Sequence, residues 1–97
     1  MVARVTIIEV QPGKMDEVTG IWRDLMEQGA KPQTGFEDGW LLFDSNTSKC
    51  ISMSLWETEG DLTAFETGDI YKQKLAEVAG LLVARPVAER YEVRAQA

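Results

Sequence analysis

Ala3 to Val10 is a run of β-branched and apolar residues in which Val5, Thr6, Ile7, Ile8 and Val10 leave no clearly polar side. Such a run favours a strand. A strand apolar on both faces needs cover on both. That need constrains the rest of the chain, which has 97 residues and room for one domain, expected to span 1–97.

Pro12-Gly13 breaks the first strand. From Lys14 to about Gly29, Met15, Val18, Ile21, Trp22, Leu25 and Met26 recur at helical spacing and form one apolar stripe. Asp16 and Glu17 sit near its start, where the helix dipole favours negative charge, and Gly29 is the expected stop. Phe36 to Asp44 and Cys50 to Glu57 read as two strands around Ser45-Asn46-Thr47-Ser48, a short polar connection that favours an antiparallel hairpin. A second helical region follows. It is expected to begin at Leu62 with Asp61 as cap, to pause at Thr67-Gly68-Asp69, and to resume from Ile70 to about Val83. Its inner face should be Ile70, Leu75, Val78, Ala79 and Leu82. A last strand after Pro86 alternates Val87, Glu89, Tyr91 and Val93 with Ala88, Arg90, Glu92 and Arg94.

The order β-α-β-β-α-β is the ferredoxin-like pattern, an α+β fold with a four-stranded antiparallel sheet and two helical regions on one face. Those helices cannot cover the second face, although the first strand and the hairpin carry apolar side chains there. A second copy of the same sheet is the simplest cover, so a homodimer of face-to-face sheets is expected, with Trp40 at its interface.

Composition narrows the function classes. The formal net charge is −6 and no basic stripe offsets it, which argues against nucleic acid and anionic membrane surfaces as partners. No apolar run can span a bilayer, and Met1-Val2-Ala3-Arg4 does not open a signal peptide. With Cys50 as the one cysteine, a disulfide framework is excluded and a reducing, cytoplasmic location is the natural reading. Histidine is absent, so a zinc site is not expected and Ser-His-Asp or Cys-His catalysis is excluded.

Several short motifs stand in a telling order: Pro12-Gly13-Lys14 after the first strand, Gly35-Phe36 before the second, Leu55-Trp56-Glu57-Thr58-Glu59 closing the third, and Tyr91-Glu92-Val93 in the last. With them the chain resembles the antibiotic-biosynthesis-monooxygenase-like (ABM) domains of the dimeric α/β-barrel superfamily over nearly its whole length. That resemblance implies a homodimer and a range of chemistries, among them oxygenation of aromatic or quinol-type compounds without a cofactor. Trp56 stands where the cofactor-free oxygenases carry a pocket tryptophan. Their asparagine four residues earlier is Ser52 here, their tyrosine six residues later is Leu62, and their later helical arginine falls near Ala76. In the haem-degrading branch a histidine falls at about Leu75 and a haem-distorting tryptophan at Phe65. Without a histidine, haem degradation and the histidine-dependent isomerase chemistry are not expected.

Cofactor-free oxygenation asks for a dry apolar pocket with one base or one donor for a developing oxyanion. Trp22, Phe43, Phe65 and Tyr71, with Trp56, Leu62 and Leu75, are the expected walls; Ser52 or Ser54 is the candidate donor, and Glu66 the candidate base. Each has a plainer reading. Trp22 and Trp56 can be core residues, Tyr71 a helix-surface aromatic, Glu66 a solvated helix residue and Cys50 a small buried hydrophobe. No cofactor and no metal are expected. A non-enzymatic module that binds a small ligand on the same fold is the alternative function, with an isomerase or lyase using a carboxylate base as a third. An open apolar cavity holding a carboxylate would favour an enzyme. A pocket packed shut by Leu62, Phe65 and Leu75 would favour the module.

Overall fold

A computed structural model describes residues 1–97. The elements follow the expected order: β1 (Val2–Glu9), α1 (Met15–Leu25), a π-helical turn (Met26–Ala30), β2 (Phe36–Asp44), β3 (Lys49–Trp56), α2 (Glu59–Glu66), α3 (Asp69–Ala79) and β4 (Val87–Glu92). The strands form one open antiparallel sheet in the order β2-β3-β1-β4. No helix is long and apolar enough to cross a membrane.

The pairing register divides the side chains between two faces. Arg4, Thr6 and Ile8 of β1 stand beside Ser54, Ser52 and Cys50 of β3, and Leu41 of β2 and Ala88 of β4 join the same row system. This is the side the helices cover. β1 is therefore not apolar on both faces: Arg4 and Thr6, two residues apart, bring polar groups under the helices. The opposite side carries Val5, Ile7, Ile51, Met53, Trp40 and Leu42 and has no cover, which leaves Leu42 48% exposed.

The helix side has two separate cores. Met26, Ala30, Trp56, Leu62 and Phe65 form one, and Val10, Val18, Cys50 and Leu82 form the other. Most of the α1 stripe packs between them without being sealed: Ile21, Trp22 and Leu25 are only partly buried because they face a void.

Three local expectations change. α2 starts at Glu59 because extended Thr58, not Asp61, is its cap, and Thr58 Oγ1 accepts the Asp61 N–H at 3.1 Å. α3 stops at Ala79 instead of near Val83. There the chain leaves the helix so that Gln11 N–H donates to the Leu81 carbonyl at 3.0 Å and Val83 N–H to the Glu9 carbonyl at 2.9 Å, and Val10 bridges Leu82. Pairing with the end of β1 has overridden helical periodicity. That pairing buries Leu82 as expected, whereas Ala79 and Leu75, also on the expected inner face, are exposed. The first helical segment runs one residue past Gly29, as a π turn closed by Lys31 N–H donating to the Met26 carbonyl at 2.8 Å.

Gly35 joins the π turn to β2 with φ +87°, a region costly for other residues, and its carbonyl accepts the Glu57 N–H at 2.8 Å. An added Cβ would lie 2.1 Å from Asp61 Oδ2. Both the backbone angle and the close approach of α2 require glycine here.

Candidate functional site

Between α1, α3 and the covered side of the sheet lies a cavity of about 380 Å³. Its walls are mainly apolar, with Ile8, Val18, Ile21, Trp22, Leu25, Leu41 and Val78 contributing. Its polar lining consists of Arg4, Thr6, Ser52, Tyr71, Lys74 and Arg85. No carboxylate lines it.

Arg4 organises one wall. Its Nε donates to Glu66 Oε2 at 2.6 Å, Nη1 donates to Thr6 Oγ1 at 2.7 Å, and Nη2 donates to the Tyr71 hydroxyl. The guanidinium also lies 5.1 Å from the Tyr71 ring centre, within cation–π range. Glu66 gives its second oxygen to Arg90, which also reaches Glu59 at 3.2 Å. Glu66 is thus clamped between two arginines outside the cavity.

Across the cavity, Trp22 Nε1 donates to Ser52 Oγ at 3.0 Å. A hydroxyl both donates and accepts, so this bond leaves the Ser52 proton free for a ligand oxygen. Lys74 on α3 is buried along its stem, and its ammonium meets Glu77 at 3.1 Å and Asp24 at 3.7 Å. Arg85 precedes Pro86 between α3 and β4, is exposed, and forms no ion pair. No group of three or more His, Cys, Asp or Glu side chains is placed to hold a metal ion.

The residues singled out from the sequence separate in space. Trp22, Ser52, Tyr71 and Leu75 line the cavity. Trp56, Leu62 and Phe65 do not; they form the neighbouring core, where Trp56 is fully buried and donates from Nε1 to Ser54 Oγ at 2.9 Å. The Trp56 ring packs 5.3 Å from Phe36 and 4.9 Å from Phe65, and Phe65 stands edge-on to Tyr71 at 5.3 Å. Tyr71 is therefore the link between that aromatic core and the cavity. Phe43 is 43% exposed and Glu66 is turned to Arg4, both away from the cavity. Cys50 is buried, and burial pushes its thiol up from the ordinary range.

Arg4, Thr6, Lys74 and Arg85 were missed. A charged residue inside a β-branched run was the available signal for Arg4, and period-two alternation puts Thr6 beside it. Lys74 falls three residues after Tyr71 and four before Val78, on one helix face. Nothing local marks Arg85.

The family model described as antibiotic biosynthesis monooxygenase matches residues 1–77. The chain belongs to this family. Among solved structures, the ABM fold recurs at low identity. A mutant of the cofactor-independent oxygenase SnoaB of Streptomyces nogalater superposes with a TM-score of 0.85 at 14% identity, covering 98% of this chain and 94% of that one. Rv0793 of Mycobacterium tuberculosis gives 0.85 at 12% identity, covering 99% and 97%. A conserved protein of Methanosarcina mazei Go1 gives 0.83 at 20% identity, covering 93% and 89%. At such identities these ABM-like structures establish a shared fold. No curated protein matches the chain.

Proposed function

We propose that this ABM protein is a cofactor-independent monooxygenase of a small aromatic or quinol-type compound. The observation that carries the reading is the open cavity of about 380 Å³, apolar in its walls and furnished with hydrogen-bond donors. Its size falls at the lower end of the about 300–1,000 Å³ typical of ligand sites, suited to a compound of two or three rings. Ser52 and the Arg4–Tyr71 pair stabilise the substrate's phenolate, and the phenolic proton leaves to water at the open rim. The electron-rich ring then reduces dioxygen. One oxygen atom enters the ring as a carbonyl and the other leaves as water, so that a naphthol plus O₂ becomes a naphthoquinone plus H₂O. The substrate supplies every electron.

The protein acts in this reading as a homodimer in the cytoplasm. The uncovered apolar side of the sheet supports a second copy as its partner, in keeping with the family resemblance, and the single buried thiol suits a reducing compartment.

The test is oxygen uptake by purified protein with hydroquinones, anthrones and naphthols, each corrected for autoxidation. Uptake should fall at least about tenfold in Ser52→Ala, which removes the donor and frees Trp22, and change less in Trp56→Phe. Absence of protein-dependent uptake across the panel would sink the oxygenase. A second reading, a non-enzymatic module for a small ligand, is favoured by one specific feature: no carboxylate, histidine or cysteine lines the cavity to serve as a base.

A further inference from the structure

The chain carries 16 acidic and 10 basic residues, yet its cavity is lined by three cationic residues and no acidic one. The polar lining of this apolar void thus reverses the sign of the chain's net charge. The three cations differ in what holds them. Arg4 is tied to Glu66, and Lys74 meets Glu77 and Asp24, whose side chains are well exposed to solvent. Arg85 has no acidic partner at all.

Arg85 is also held where a ligand can use it. Pro86 restricts it to extended backbone, and both residues line the cavity beside Ala88, whose small side chain leaves room. An unpaired guanidinium at the edge of an apolar wall attracts an anion more strongly than one in open water, because the wall excludes part of the screening solvent. Its planar fork matches a carboxylate. The inner end offers different chemistry: the Ser52 hydroxyl and the Arg4–Tyr71 pair suit a phenolic oxygen.

We propose that the ligand of this cavity is an aromatic hydroxy acid, its ring lying along Trp22, its phenolic oxygen directed to Ser52, and its carboxylate held at the rim by Arg85 with Lys74 behind it. The proposal rests on the reading of this cavity as the substrate site and assigns the class of compound that enters it.

Calorimetric titration with 6-hydroxy-2-naphthoic acid and with its methyl ester tests the assignment, since the ester keeps the rings and the hydroxyl and replaces the charged carboxylate with a neutral group one methyl larger. The acid should bind roughly tenfold or more tightly than the ester. Arg85→Gln should abolish that preference, and added salt should narrow it. Equal binding of the two, no detectable binding of the acid, or a preference that survives Arg85→Gln would overturn the proposal. Oxygen uptake measured on the same samples separates the two ideas. Acid preference without uptake keeps the anion site and removes the oxygenase; uptake without acid preference does the reverse.

Discussion

Arg4 shows how one residue can tie a strand to two helices. Its three nitrogen positions reach Glu66 on α2, Tyr71 on α3 and Thr6 on its own strand. Removing it leaves the part-buried Glu66 with Arg90 alone. Arg4→Gln should therefore destabilise the fold by about 2–3 kcal/mol in denaturant titration. Combining it with Glu66→Gln should cost less than the sum of the single changes, because the two residues share one interaction. Cys50 makes a pH-dependent contribution. Burial holds its folded thiol above the ordinary thiol range, whereas the unfolded thiol titrates normally. Below that range both states keep the proton and pH has no effect through this group. As pH rises beyond it the unfolded chain releases its proton first, so stability falls. Thermal melts taken from about pH 8 to about pH 10, across the ordinary thiol range, should show that decline, and Cys50→Ala should reduce its slope.

At the level of elements, the junctions matter more than the helices and strands they join. Gly35 fits beneath α2 only because it lacks a Cβ, and its φ suits no other residue well. Gly35→Ala should cost about 2 kcal/mol and lower Tm by roughly 10 °C. Gly20 is the contrasting case, since an added Cβ there meets nothing. Gly20→Ala on α1 should raise stability by up to about 1 kcal/mol in the same melts. The early end of α3 also shapes the cavity. By leaving the helix after Ala79 to pair with β1, the chain brings Arg85 and Pro86 to the cavity.

For the whole molecule, only 14 of 97 residues are buried, because one side of the sheet is bare and the other holds a cavity. Trp40 and Leu42 on the bare side are large, apolar and exposed, an arrangement that a lone soluble chain rarely keeps. Light scattering at micromolar concentration should give the mass of a dimer. Leu42→Glu should shift it toward monomer, since a charge buried between two apolar sheets has no partner. A monomer in the unaltered protein would remove the dimer from this account.

The order of elements, the strand alternation and the single helical stripe were legible in the residues themselves, because periodicities of two and 3.6 are local properties of backbone geometry. The ABM resemblance followed from motifs at fixed spacing. The candidate site was legible only in part. Trp22 and Tyr71 were found by their aromatic character, and Ser52 by its place before Trp56, but the same reasoning put Trp56, Leu62 and Phe65 into the pocket, whereas they fill the core beside it. Whether an aromatic residue lines a void or fills a core depends on how far two helices stand from a sheet. Likewise, Glu66 became an ion-pair partner because two arginines, 62 and 24 residues away in sequence, reach it across the fold. Such long-range contacts leave no periodic trace in the chain, and tertiary packing alone decided them.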